Sequence, residues 1–392
     1  VAILFALLFL IFQAVVSWAQ PAMDAIKAGV DALAGLARGA LPAGMLSSLI
    51  ADGAIAGVGA VAVFLPQILI LFFFIILLED FGYMARAAFL MDRLVRPVGL
   101  HGRSFIPLLS SFACAVPGIM ATRVIDNRRQ RLATIMIAPL MTCSARLPVY
   151  TLLIGAFIPD RSVLGVFNLQ GLVLFALYGA GVVSAMLVAW VFRRFVWKGE
   201  SEPFLMEMPD YKLPNLRSLA MELAQRAFVF LRRAGTTILS MMILIWFLAS
   251  VPGAPEGATE PAIHYSFAGM IGRAMQPLLA PLGFNWQIAV ALIPGMAARE
   301  VAVGALATLY AVGAGEGARE ALGAAISAQW SLATALSLLA WYVFAPQCAA
   351  TLGVVRRETA SWTWPAIMFA YMMALAYLAA LIVYQAARWL GA

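Results

Sequence analysis

The chain has 392 residues, of which 64% are hydrophobic and only 11% charged, and its mean hydropathy is +0.92. A soluble domain carries about 25% charged residues, so this composition excludes one and points to an all-α, polytopic membrane protein. A transmembrane β-barrel would alternate in short strands rather than run apolar, and the net charge of +7 does not mark a nucleic-acid binder, because the basic residues cluster beside hydrophobic segments as the positive-inside rule expects.

In chain order, Val1 to Trp18 reads as a first span, slightly short. Val1 already lies inside an apolar run without a preceding Met or charged flank. A signal peptide would need a basic start and a cleavage site, so an N-terminal part is expected ahead of Val1. Residues 20–52 are Gly/Ala-rich and read as an amphipathic outer loop. Ile55 to Leu78 is a second span, ending in Glu79-Asp80 and a basic stretch with Arg86, Arg93, Arg96 and Arg103, which places that end in the cytoplasm.

Phe105 to Thr122 is apolar but holds Pro107 and Pro117, and Arg123, Arg128, Arg129 and Arg131 follow it. Basic flanks on both sides argue for a re-entrant hairpin rather than a crossing. Leu132 to Ile158 crosses outward, and Leu169 to Phe195 returns to Arg193, Arg194 and Lys198. In the polar stretch 198–233, Leu216, Leu219, Leu223, Ala227 and Phe230 recur at helical spacing, which predicts an amphipathic helix on the inner membrane surface. Gly235 to Val251 crosses outward, and residues 252–283 read as a Pro/Gly-rich outer loop. Trp286 to Val312 reads as a second hairpin, Trp330 to Val355 as an inward crossing and Trp364 to Ala387 as the last span, with the C-terminus outside. The resulting plan is a first membrane half (1–197) with one hairpin, a cytoplasmic connector (198–233) and a second half (234–392) with the other, the two hairpins opening to opposite faces as in an inverted repeat.

The two halves share words in the same order. Pro117-Gly118-Ile119-Met120-Ala121-Thr122-Arg123 is followed by Ala138-Pro139 and Cys143; Pro294-Gly295-Met296-Ala297-Ala298-Arg299 is followed by Ala345-Pro346 and Cys348. Proline and glycine break helices, and a break inside a bilayer frees backbone groups that lipid cannot satisfy. Paired interruptions of this kind point to a transport site.

Three cysteines, Cys114, Cys143 and Cys348, lie in apolar segments, each near a proline; an odd number in such places argues against a disulfide framework. Cysteine is commonly a small buried hydrophobe. Beside unwound backbone it is also a soft ligand for a transition metal, to which Met120 and Met141 could add thioether sulfur and Ser144 a hydroxyl. The methionines, among 19 in the chain, are equally core filler. Glu300 lies deep in an apolar run, where a carboxylate is costly; it is either functional or a structural partner of Arg299 or a hairpin cap. Glu79 and Asp80 are either a solvated helix end or a collector of cations at a pore exit. Arg146 is expected to hold carbonyls or a carboxylate rather than a cation, and His101 and His264 form no readable site. The chain contains neither GxxxxGK[ST] nor HExxH nor CxxC, so no catalytic or phosphate-binding constellation stands out.

These residues carry a resemblance. Phe64-Leu65-Pro66-Gln67-Ile68 through Arg86, Ser111 through Arg123, Cys143-Ser144-Ala145-Arg146-Leu147-Pro148, Glu207-Met208-Pro209-Asp210-Tyr211, Phe230 through Thr236, Ala298-Arg299-Glu300-Val301 and Pro346-Gln347-Cys348 through Thr359 resemble the membrane domain of the ferrous iron transporter B family, FeoB, with its two gate motifs. The family often has lysine where Arg299 stands and Pro-Cys where Pro346-Gln347-Cys348 stands. The resemblance implies transport of Fe²⁺ as substrate across a bacterial inner membrane. It also implies a GTP- and Mg²⁺-binding domain ahead of Val1, a homo-oligomer in the lipid bilayer and a small cytoplasmic SH3-like partner. This chain alone is then not an enzyme. The gate motifs are also similar to those of nucleoside-recognition proteins, so a transporter of a nucleoside or other small solute is the alternative. A membrane scaffold without transport would leave Glu300 and both helix breaks unexplained.

Overall fold

A computed structural model describes residues 18–42, 44–82, 86, 89, 92, 100, 102–163, 167–196, 215–253, 265–297, 299, 301–310, 318–346 and 348–391. The span expected before Trp18, the stretch 207–211, both histidines and Glu300 lie outside the described residues. Among the described residues, four helical stretches are long and apolar enough to cross a membrane: Met45–Leu78, Arg128–Phe157, Leu169–Phe195 and Thr363–Trp389. Two sharply bent pairs, Phe267–Leu282 with Trp286–Met296 at 105° and Ala321–Ser327 with Leu332–Phe344 at 117°, bring this to six if each pair is one span. The chain divides into two compact units, Val1–Ala138 with Met186–Trp246 and Pro139–Ala185 with Phe247–Ala392.

In the first unit, α1 (Ala19–Ala40) packs along α2 (Ala56–Asp80). The stretch read as an amphipathic loop is therefore largely helix. Val30 occupies the space that any side chain on Gly59 would need. Trp246 donates its indole N–H to Ser48 Oγ at 2.9 Å, just ahead of α2. The connector helix reappears further on and is described below, after the first hairpin.

That hairpin consists of α3 (Phe105–Ala113) and α4 (Ala115–Ala121), with Cys114 extended between them (φ −155°, ψ 133°). The two helices pack on each other. Gly118 makes this possible: a methyl group there would overlap Ser111 Oγ and lie 2.7 Å from the Pro107 carbonyl oxygen. The hairpin ends are joined by an ion pair between Arg103 and Asp126. Asn127 then starts α5 (Arg128–Ile137), its side-chain oxygen accepting from the N–H groups of Arg129 and Gln130 at 3.0 and 3.3 Å.

After α6 (Leu147–Phe157) and α7 (Leu169–Val191), the connector forms α8 (Leu216–Phe230), capped by Asn215 accepting from Arg217 N–H at 3.0 Å. Two of the positions the spacing predicts, Leu219 and Leu223, face inward. Their partner is different: Leu219 is buried against Phe72 and Ile76 of α2, with Leu223 beside it. A wider turn at Leu231–Gly235 carries α8 directly into α9 (Thr236–Ser250).

The second unit holds α6, most of α7 and the rest of the chain. A two-stranded antiparallel ribbon links α6 to α7, β1 (Ser162–Val163) pairing Ser162 with Asn168 and Val163 with Phe167 of β2 (Phe167–Asn168). Then follow α10 (Phe267–Leu279), α11 (Trp286–Ala297), α12 (Val301–Leu309), α13 (Ala318–Ser327), α14 (Leu332–Phe344), α15 (Ala349–Thr359) and α16 (Thr363–Trp389). Met368, Met372, Ala376 and Ala380 recur every fourth residue along α16 and are fully buried, while Leu378 and Ile382 are exposed. Small residues let α14 approach, and Ser337 donates to the Ala380 carbonyl at 3.1 Å.

Two expectations are corrected. Residues 252–283 are not wholly a loop, since α10 occupies Phe267–Leu279. Ser266 caps it, accepting from Gly269 N–H at 3.2 Å, and Gly272 is a packing glycine whose missing side chain makes room for Val290 of α11. Trp330 to Val355 is not one unbroken crossing: α14 ends at Phe344, and Ala345 and Cys348 are extended before α15. Pro346 has no N–H to continue the helix and forces the residue before it out of the helical region.

Candidate functional site

The three cysteines share one local design. Each is extended and stands immediately before a helical turn: Cys114 before α4, Cys143 (φ −88°, ψ 163°) before Ser144–Arg146, and Cys348 (φ −162°, ψ 102°) before α15. Pro139 and Pro346 stand at the helix breaks ahead of Cys143 and Cys348, whereas Pro117 lies in the first turn of α4, after Cys114. First-turn amides at such sites have no partner within their helix. All three cysteines are half-buried and none is in a disulfide.

In the second unit the chain unwinds after the short turn Ala138–Leu140. Arg146 reaches back into this break, donating from Nη2 to the Pro139 carbonyl at 3.0 Å and from Nη1 to Thr142 Oγ1 at 3.2 Å. It is wholly buried, at 0% exposure. Its backbone N–H donates to the Cys143 carbonyl at 3.1 Å. Carbonyl binding is the role the sequence assigned to Arg146. On α7, Gly181 leaves no room for a side chain, as a methyl group there would stand 2.8 Å from Thr142 Oγ1 and 3.0 Å from the Leu140 carbonyl oxygen.

The other break in this unit is built alike. Ala345 ends α14, and its carbonyl accepts from Nη2 of the buried Arg299 at 3.4 Å. Thr351 N–H donates to the Cys348 carbonyl at 3.0 Å. Arg299 follows the second hairpin helix, α11, which packs on α12. A methyl group on Gly295 would lie 3.1 Å from Ala302 Cβ and 3.4 Å from Tyr342 Oη.

These breaks converge on the thiols. Cys348 is within electrostatic reach of Arg299 and Cys143 and lies beside Thr351. Tyr150 lies beside Thr142 and Cys143, and Tyr178 within reach of Cys143 and Tyr150. Cys143 and Cys348 are thus within electrostatic reach of each other, with Tyr150 and Tyr178 within reach of Cys143 and Thr351 beside Cys348, at breaks whose carbonyls bind two guanidinium groups. Sulfur with neutral oxygen suits a borderline transition metal, and moderate multi-site binding lets an ion leave again.

Of the residues singled out in the sequence, Cys143 and Cys348 come together here. Met141 is buried and Ser144 half-buried, on either side of Cys143. Cys114 and the half-buried Met120 belong to the hairpin of the first unit, and Glu79 and Asp80, at the end of α2, belong to the same unit. Among the described residues, no three His, Cys, Asp or Glu side chains gather as a metal cluster. Tyr150, Tyr178 and Thr351 escaped the sequence reading. Tyr150 stands four residues after Arg146, and Thr351 three after Cys348, spacings that share a helix face.

A family model described as Gate: Nucleoside recognition matches residues 61–157 and 231–362, and one described as Ferrous iron transport protein B C terminus matches 174–226. The chain belongs to the FeoB family. An Fe(2+) transporter FeoB of Leptospira interrogans is 44% identical over 96% of this chain and 56% of its own length. Another from Staphylococcus aureus is 40% identical over 98% of the chain and 56% of its own length. An Fe(2+) transport protein A/Fe(2+) transporter FeoB fusion protein of Porphyromonas gingivalis is 40% identical over 96% of the chain and 49% of its own length. The chain therefore spans about half the length of these FeoB relatives. No solved structure matches it. Family and apolar helices together make it a multi-pass membrane protein.

Proposed function

We propose that this chain forms the membrane permease portion of a ferrous iron transporter of the bacterial inner membrane, passing Fe²⁺ as substrate. The observation that carries the reading is that Cys143 and Cys348 stand within electrostatic reach of each other at two helix breaks whose carbonyls are held by buried arginines. The relatives named Fe(2+) transporter FeoB support it. Sulfur on unwound backbone gives an entering ion replacement ligands for water. Cys114, Met120, Met141, Ser144, Glu79, Asp80 and Glu300 are proposed as further points on the path. Fe²⁺ stands low in the usual affinity order, so selectivity comes from geometry and charge rather than from tight thiolate binding.

Nucleotide chemistry, with GTP and Mg²⁺, is assigned to a domain outside this chain, and this chain is assigned none. The fusion relative supports a transport protein A-like partner, of the small SH3-like kind the resemblance implies; a homo-oligomer is proposed as well. The broad family description, nucleoside recognition, favours a second reading, uptake of a nucleoside or similar solute. Proteoliposomes containing the full-length protein decide between them. Fe²⁺ uptake that is lost when Cys143 and Cys348 are both replaced by Ser supports the iron reading; nucleoside uptake without Fe²⁺ uptake overturns it.

A further inference from the structure

We propose that Arg146 and Arg299 are positioning residues, each fixing its thiol by holding the carbonyl of the adjacent Ala-Pro break. The inference rests on the thiol path proposed above and adds to it the part that sets its geometry. In both repeats an Ala-Pro pair precedes the cysteine, at Ala138-Pro139 before Cys143 and at Ala345-Pro346 before Cys348. In both, a buried guanidinium donates to a carbonyl of that pair, Arg146 to Pro139 at 3.0 Å and Arg299 to Ala345 at 3.4 Å.

Burying a guanidinium in a membrane is costly, and aliphatic residues would fill the same space without that cost. What the arginines add is directional. The carbonyls of Pro139 and Ala345 lie where the preceding helices end, and end carbonyls have no N–H donor within their own helix, for which lipid supplies no substitute. A charged donor makes the stronger class of hydrogen bond. Arg146 does more than cover one carbonyl. Its two terminal nitrogens bind Pro139 and Thr142, one on each side of the turn that leads to Cys143. A planar fork ties these points at a fixed distance, which the single ammonium of lysine cannot do. Arg299 comes from the second hairpin, 46 residues away in sequence from Ala345. It therefore ties that hairpin to the segment carrying Cys348, and its charge reaches the thiol itself.

Each brace is local to one thiol. Arg146, four residues from Thr142, braces the first break, and Arg299 braces the second. A positional effect of each arginine is therefore expected at its own cysteine. General loosening of the protein would reach both.

The test uses the full-length protein in two single-cysteine forms, one keeping Cys143 and one keeping Cys348, with the remaining two cysteines replaced by Ala. The rate of alkylation by a small membrane-permeant maleimide is read for each. Arg146→Lys is expected to change the Cys143 rate by roughly tenfold, as loss of a hydrogen bond to a charged group does, and to leave the Cys348 rate alone. Arg299→Lys is expected to do the reverse. Thr142→Val removes one acceptor and leaves the guanidinium in place, so the Cys143 rate should shift in the same direction as with Arg146→Lys. Unchanged rates, or equal changes at both thiols, overturn the proposal. An arginine whose Lys and Gln variants both fail to fold is structural, and for it the proposal is likewise overturned. Alkylation does not require iron. If the parent protein takes up no Fe²⁺ in proteoliposomes, the transport reading fails while the positional result still stands.

Discussion

Arg103 and Asp126 meet as an ion pair at the two ends of the first hairpin. One precedes α3 and the other follows α4, so the chain enters and leaves this element at one place. That is the geometry of a re-entrant hairpin, and it agrees with the basic clusters on both flanks. The pair itself is exposed, Asp126 at 88%, and such surface pairs contribute only about 0–1 kcal/mol. It marks the topology more than it enforces it.

Cysteines placed singly at positions 103 and 126 in a cysteine-free background should therefore behave alike. Both should resist an impermeant thiol reagent applied from outside and react when it is applied from the cytoplasmic side. Labelling of one position from each side would mean a full crossing and would reverse every later segment.

The glycines of the two Pro-Gly pairs should differ in sensitivity. A methyl group on Gly118 overlaps Ser111 and crowds the Pro107 carbonyl, whereas one on Gly295 meets Ala302 Cβ at 3.1 Å. Gly118→Ala is expected to destabilise the protein by about 1–3 kcal/mol, as overpacking does, and Gly295→Ala by less. Thermal unfolding in detergent measures both. Equal tolerance would mean that the first hairpin is looser than the structure has it.

Much of this was legible in the chain. The apolar runs, the Pro117-Gly118 pair and the cysteines beside prolines pointed to the long apolar helices, the first hairpin and the helix breaks, because hydropathy and helix-breaking act locally. What was not legible depends on partners distant in sequence. Nothing near Arg299 points to Ala345. Gly272 reads as a loop residue until Val290 is seen to fill its missing side chain. Leu219 has the spacing of a surface helix in either setting, and only Phe72 and Ile76 decide where it goes.

Replacing Cys143 or Cys348 by Ser should lower Fe²⁺ uptake by about tenfold or more, since loss of even an outer-shell partner costs a metal site about 10–100-fold. The fold should not suffer. Both residues stand immediately before a helical turn, where serine is a favoured residue. Uptake assays paired with thermal unfolding measure the two effects, and a large loss of stability would assign the thiols to packing instead.

Glu300 follows Arg299 and is proposed to offer negative charge on the path. Glu300→Gln keeps the shape and removes the charge, so Fe²⁺ uptake should fall, while Glu300→Asp should retain more activity than Gln. Uptake by the Gln variant equal to that of the parent would make the carboxylate structural.

The most direct measurement is an anomalous difference map at the iron edge from crystals of the Fe²⁺-loaded protein. The account predicts a peak within bonding distance of the sulfur of Cys143 or Cys348, beside the segments held by Arg146 and Arg299. An iron peak away from both sulfurs, with none between the two breaks, would contradict it.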